Sequence, residues 1–378
     1  MTAGTADRPV ISAWSALSPW GEGADAFRAG LAAEENAITT VDSEFVPGTP
    51  VRAGVVPGFP VDYPGTRGTR SLDRLTRLTL RLSGLVIADQ GGSLGSRPED
   101  TGMVLATSGS LRTSLEFTGQ SYRERQPFHV DVARYPSTAT NCAASRSAIM
   151  HGLKGPNTTL TAGPAGGLLA LGQAARLLRQ GRAEVLLVGA AEEYTEDRAL
   201  LEEALHGDGG TAPPVAEGGA LFVVELAEGA AARGRTALAT LLGCRFRAYH
   251  PRSGGDADGA LRRCVTDLLA DTGTSSDELT LVVRSDPDGP LGEQENSALI
   301  SLLGGPEHGV RQLAPGHRLG YAGSAGPAFQ VAAALAANGP LPLRAPALIT
   351  FVADGRVGAA LLGAPAGRPT RHMGRGTT

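Results

Sequence analysis

The chain has 378 residues, 42% of them hydrophobic and 19% charged, with a net charge of −4. That balance fits a soluble globular protein with a large core and about two domain-sized units, and it gives no basis for a nucleic-acid partner. No basic-then-apolar leader opens the chain and no apolar run approaches the ~20 residues of a membrane span, so a cytoplasmic location without a membrane anchor is expected. A short strand is predicted over 10–17 and a helix over 25–33. Residues 71–88 carry leucines at helical spacing, and Ser71 is placed to cap that helix. A strand over 102–107 ends in the small turn Ser108-Gly109-Ser110, and a helix starts at Leu111. A helix over 139–152 and a short strand over 158–160 follow. Next come an amphipathic helix over 168–179, buried strands over 183–189 and 218–225, and a helix over 229–232.

From about residue 236 the pattern restarts. Strands are predicted over 237–242 and 279–283, and helices over 259–271 and 295–303. The loop GHRLG, a helix over 325–337 and strands over 347–352 and 358–363 close the chain. Strands alternating with helices imply layered α/β with strands buried on both faces. The division expected is 1–234, 235–364 and a disordered basic tail at 365–378, with similar grammar in the two halves but no readable sequence repeat. Cys142, Cys244 and Cys264 match no metal-ligand spacing and are expected as buried thiols, with no metal and no cofactor. DPDGPLGEQE lacks the ligand spacing of a calcium loop, and GYAGSAG lacks the lysine of a phosphate loop.

Residues 155–176, GPNTTLTAGPAGGLLALGQAAR, have the frame of a nucleophile elbow: a β-branched strand, a tight turn of small residues, then an Ala/Leu-rich helix. The tip of the turn is Pro164, which offers neither a nucleophile nor an N–H. Taken with VISAWSALSPWGEGADAFRAGLAA, VAEGGALFVVEL, PLGEQENSALISLLGG and PGHRLGYAGSAGPAFQVAAAL, this stretch resembles the β-ketoacyl synthases. The resemblance runs to about residue 363. It implies the thiolase fold, a pseudo-duplicated five-layered α-β-α-β-α core that dimerises through the elbow region.

The resemblance also implies where catalytic residues would fall. The nucleophilic cysteine falls on Pro164, the first histidine on Ser285 and the lysine on Gln312; only the second histidine is retained, as His317. The glycine-rich turn near the C-terminus has become Phe351-Val352-Ala353-Asp354-Gly355. Condensation by this route needs a thiolate to carry the acyl chain and paired imidazoles to stabilise the oxyanion. No independent catalysis is therefore expected. Asp286 and Asp288 would disfavour a malonyl carboxylate, and His317 is expected to be a structural residue bonded to backbone.

One branch of the family keeps such an elbow. Chain-length factors of type II polyketide synthases read glutamine-Ala-Gly-Gly-Leu there, and this chain reads Pro164-Ala165-Gly166-Gly167-Leu168. What that resemblance implies is a heterodimer with a catalytic ketosynthase, served by an acyl carrier protein, in which this chain shapes the tunnel for the growing acyl chain. Leu111, Ser114 and Thr118 correspond to the gate, and their spacing of three and four puts them on one helical face. The small side chains at two of these positions, and a short segment between Glu193 and Glu217, point to a reduced, polyene-like product. Two other readings stay open: an acyltransferase with chemistry relocated to His317 and Ser285, and a homodimeric acyl-chain-binding scaffold.

Overall fold

The computed structural model describes residues 7–43, 45, 48–59, 72–206, 212–251, 256–305 and 309–365. Ser71 and the tail beyond Pro365 lie outside the described residues. The first half contains β1 (Pro9–Ser18), β2 (Gly21–Glu22), α1 (Ala24–Ala33), β3 (Thr39–Asp42), β4 (Pro50–Ala53), α2 (Arg74–Asp89), β5 (Thr101–Ala106) and α3 (Leu111–Arg123). It continues with α4 (Cys142–Met150), β6 (Asn157–Leu160), α5 (Gly166–Arg179), β7 (Val185–Glu192), α6 (Glu196–His206), β8 (Gly218–Leu226) and α7 (Ala227–Ala232). The second half contains β9 (Ala239–Ala248), α8 (Ala257–Thr272), β10 (Leu281–Val283), α9 (Pro290–Leu303), β11 (Arg311–Leu313), α10 (Gly316–Leu319), α11 (Gly326–Ala336), β12 (Ala347–Ala353) and β13 (Arg356–Gly363).

Leaving aside the two-residue β2, the strands of the large sheet follow one plan in the two halves. They lie in the order β6-β5-β7-β8-β1 in the first half and β11-β10-β12-β13-β9 in the second. In both, the order is third, second, fourth, fifth, first. In both, the fifth strand runs antiparallel to its neighbours while the second and third pair in parallel. The halves join through a short antiparallel pairing, Val10 with Thr240 and Ile11 with Ala239, which makes one continuous ladder.

Three apolar clusters define five layers. α2 and α4 cover the outer face of the first sheet through Leu75, Leu78, Leu82, Ala143 and Ala144. α8 and α9 cover the outer face of the second through Leu261, Val265, Leu268 and Leu299. Between the sheets lie α5, whose buried residues are all Ala, Leu and Gly, and α11, whose buried face is mostly Ala with Phe329 and Val331. Small side chains there let helix and sheet backbones approach closely. This is the thiolase-type architecture, and strands covered on both faces read as unbroken apolar runs such as residues 185–191 of β7.

Several local expectations are corrected. α2 starts at Arg74 and is capped by Asp73, whose carboxylate accepts the Thr76 N–H at 2.7 Å. α4 is shorter than 139–152 because Pro136 holds residues 132–138 in a 3-10 run. α9 begins at Pro290, since proline is compatible with a first helical turn. Strand β10 begins at Leu281, because Ser275 caps a separate turn over Ser276–Glu278. Cys142 and Cys264 are buried, but Cys244 is only partly so.

Candidate functional site

The elbow connects β6 to α5. A 3-10 turn, Gly163–Ala165, reverses the chain, and Gly163 takes φ 54°, a conformation that favours glycine. Pro164 is half-buried at the tip. It takes the second position of that turn, where its locked φ is tolerated and its missing N–H leaves no first-turn bond unmade. Gly166 and Gly167 are required by packing. A Cβ on Gly166 would lie 2.9 Å from the Ser324 Cβ, and one on Gly167 would lie 2.7 Å from the Ala328 backbone N.

Those contacts reveal a second elbow. Residues 322–326 form the turn Gly323–Ala325 before α11, with Gly323 at φ 49°. The flanking alanines match as well: Ala162 has φ/ψ −132/16° and Ala322 −105/19°, while Ala165 has −79/−14° and Ala325 −80/−17°. In sequence the two read Ala-Gly-Pro-Ala-Gly and Ala-Gly-Ser-Ala-Gly. The two turns therefore share a five-residue pattern, and Ser324 is the counterpart of Pro164.

The second elbow is anchored by Glu192, a side chain 1% exposed. Its Oε1 accepts the N–H of Ser324 at 3.2 Å and both the N–H (3.0 Å) and the hydroxyl (2.9 Å) of Ser108; Arg198 lies 3.5 Å from Oε2. One carboxylate thus fastens the second elbow to the turn preceding α3. Among the described residues the buried Ser324 Oγ has no hydrogen-bond partner.

The other counted positions gather at the ends of β10 and β11. Ser285 donates to Glu295 (3.1 and 3.0 Å to the two oxygens) and accepts the Val352 N–H at 3.0 Å. Glu295 is fully buried and is also bonded by Thr350 at 2.7 Å and the Asp286 N–H at 2.6 Å. Burial pushes its carboxyl above the usual range despite those bonds. His317 does not bond backbone as expected: its Nε2 lies 2.7 Å from Asp286 Oδ2, leaving the ring half exposed. Asp286 also takes Arg284, which reaches Asn296 at 2.9 Å and Gln312 at 3.3 Å. Burial alone would raise the Asp286 carboxyl, but hydrogen bonds from Arg284 and His317 hold it below the usual carboxylate range. Its charge is therefore matched by the Arg284 guanidinium, and of the two aspartates only Asp288 stands exposed.

Ser285 and His317 share no hydrogen bond among the described residues, so no Ser–His pair is formed. Asp354-Gly355 is the two-residue turn between β12 and β13, and Arg356 donates to the Ala162 carbonyl at 3.3 Å, which ties this region to the first elbow.

Leu111, Ser114 and Thr118 all lie on α3, the first two half-buried and Thr118 exposed. Ser114 turns its hydroxyl back to the Ser110 carbonyl at 2.9 Å. Two neighbours escape the sequence reading: Leu115 (49% exposed) and Tyr122 (85%) continue the Leu111 stripe at i+4 and i+11. Their apolar spacing is the signal that could have found them. Phe128, Val132, Tyr135 and Ile149 also stand exposed in the segment between α3 and the end of α4. β6 is the last strand of the sheet. No helix among the described residues is long and apolar enough to cross a membrane.

Residues 7–202 match the family model for the β-ketoacyl synthase N-terminal domain. The chain belongs to the β-ketoacyl synthase family. Its structure is similar to that of the ishigamide ketosynthase/chain length factor, with 37% identity, a TM-score of 0.86, and coverage of 95% of this chain and 100% of that one. It is 29% identical over 368 residues to a polyketide β-ketoacyl synthase 2 of Streptomyces coelicolor, covering 89% of this chain and 84% of that protein. It is 26% identical over 349 residues to 3-oxoacyl-[acyl-carrier-protein] synthase 2 of Vibrio cholerae, covering 84% and 83%. This β-ketoacyl synthase homologue is of the type II ketosynthase/chain-length-factor kind, and its elbow has proline at the tip.

Proposed function

We propose that the chain is a non-catalytic chain-length factor that pairs with an active ketosynthase and shapes the tunnel for the growing acyl chain. The observation that carries this reading is an intact elbow with its chemistry replaced. The turn, the two helix-packing glycines and the twin elbow all persist, while the tip is Pro164. The Ser285 hydroxyl is committed to Glu295, and His317 to Asp286. Among the described residues an acyl group has no thiol at the elbow tip to occupy, and the His317 imidazole bonds Asp286 rather than a second imidazole.

The partner would supply the cysteine and both histidines, and acyl carrier protein would deliver substrate to that partner. The face that supports such a partner is built by α3, the segment leading to α4 and the edge strand β6. Leu115, Tyr122, Val132, Tyr135 and Ile149 offer apolar surface there, beside unpaired strand groups. In this reading residues 1–234 meet the partner and residues 235–364 carry the emptied second site. Leu111, Ser114 and Thr118 border the tunnel. Two of the three are small, which leaves depth for a reduced, polyene-like chain.

Co-expression tests the pairing. A one-to-one complex with a ketosynthase is expected, in which Ser114→Phe or Thr118→Phe shortens the product. A complex whose product length ignores both substitutions would remove the gate from α3.

A further inference from the structure

Glu193 follows β7 and is 3% exposed. Its Oε1 accepts the Ser110 hydroxyl at 2.8 Å, and its Oε2 accepts the Leu75 N–H at 3.0 Å. Ser110 is the N-cap of α3: its Oγ accepts the Thr113 N–H at 3.3 Å and shares a bond of 2.8 Å with Thr113 Oγ1. Leu75 lies in the first turn of α2. One buried carboxyl therefore ties the starts of two helices, one in the outer layer and one on the exposed face.

The charges around it do not favour an anion. Asp73 faces it from the start of α2, and Glu192 precedes it in the chain. Arg198 of α6 donates to the Glu193 backbone carbonyl at 3.2 Å and lies 3.5 Å from Glu192. Arg74 of α2 is held by Glu217 at 2.6 Å. Burial first, then Asp73, pushes the Glu193 carboxyl up to about 7, against the lowering effect of its bonds to Ser110 and Leu75.

We propose that Glu193 is a positioning residue for α3, acting through Ser110, and that its neutral form seats the helix. When neutral, Glu193 donates a proton to Ser110 Oγ, Ser110 turns its own hydrogen to Thr113 Oγ1, and Leu75 keeps its acceptor. When ionised, it is a buried negative charge beside Asp73 and Glu192. The sign follows from linkage. A carboxyl whose folded value is raised from 4.5 to about 7 stabilises the seated state fully below about 4.5. That stabilisation is lost as the pH rises through 7. Opening of the site should become about tenfold easier between pH 6 and 8. The seating stands on these contacts alone. Its consequence for product length rests on the proposed tunnel function of α3.

Amide hydrogen exchange on the full chain tests it. Amides 113–117 should lose about tenfold in protection between pH 6 and 8, beyond the intrinsic rise in exchange. Glu193→Gln mimics the neutral acid, since its carbonyl accepts from Leu75 and its amide donates to Ser110. That variant should keep protection high and flat with pH, whereas Glu193→Ala should be low and flat. A wild-type profile without pH dependence, or a Gln variant that tracks wild type, would overturn the proposal. Product length from the complex with a ketosynthase separates the two claims. Should α3 loosen with pH while product length stays fixed, the seating role stands and the tunnel reading falls.

Discussion

The two elbows have the same backbone and different fates. Residues 162–166 and 322–326 share the Ala-Gly-x-Ala-Gly pattern, left-handed glycines at φ 54° and 49°, and a central helix after each. They differ at the middle residue. The Ser324 N–H is buried and spent on Glu192, whereas Pro164 is half-buried and has no N–H. An elbow that must brace the core keeps its donor. The elbow at Pro164 has none and needs only its turn.

Four substitutions at three positions can break this contrast. Gly167→Val should have the largest effect, because its Cβ meets the Ala328 backbone N, which cannot swing aside; a loss of about 3 kcal/mol in chemical denaturation is expected. Ser324→Pro removes a donor from the buried Glu192 and should cost about 2 kcal/mol. The reverse exchange, Pro164→Ser, should cost only about 0.5–1 kcal/mol, through added freedom of the unfolded chain. Ser324→Ala should be smallest, neutral or stabilising by up to about 0.5 kcal/mol, because the hydroxyl it removes has no partner. If Pro164→Ser cost as much as Ser324→Pro, the two elbows would bear equal load and the contrast would fail.

Much of the fold is legible in the sequence wherever burial imposes a period. Leu75, Leu78 and Leu82 mark α2, and Val185–Glu192 reads as a strand covered on both faces. The hairpin of β3 and β4 is not legible: Thr39–Asp42 and Pro50–Ala53 are mostly exposed and pair only with each other. α6 is missed because its apolar residues Leu200, Leu201 and Leu205 stay exposed, so its own core imposes no pattern. The second elbow is visible as letters, yet Ala-Gly-x-Ala-Gly is unremarkable in a chain with 52 glycines until the fold superimposes the two halves. Within the site, counting places Ser285, Gln312 and His317 in one network through Arg284 and Asp286. The His317–Asp286 contact spans 31 positions and depends on Asp286 holding φ 44°, which no spacing rule predicts.

In the proposed heterodimer the elbow at Pro164 supplies structure and the partner supplies the cysteine. The most direct test is acyl elongation on an acyl carrier protein, measured for the purified chain alone and for its complex with a ketosynthase. The complex should elongate, should lose activity when the partner's nucleophilic cysteine is replaced, and should retain it in Pro164→Ser. Elongation by the purified chain without a partner would contradict the account.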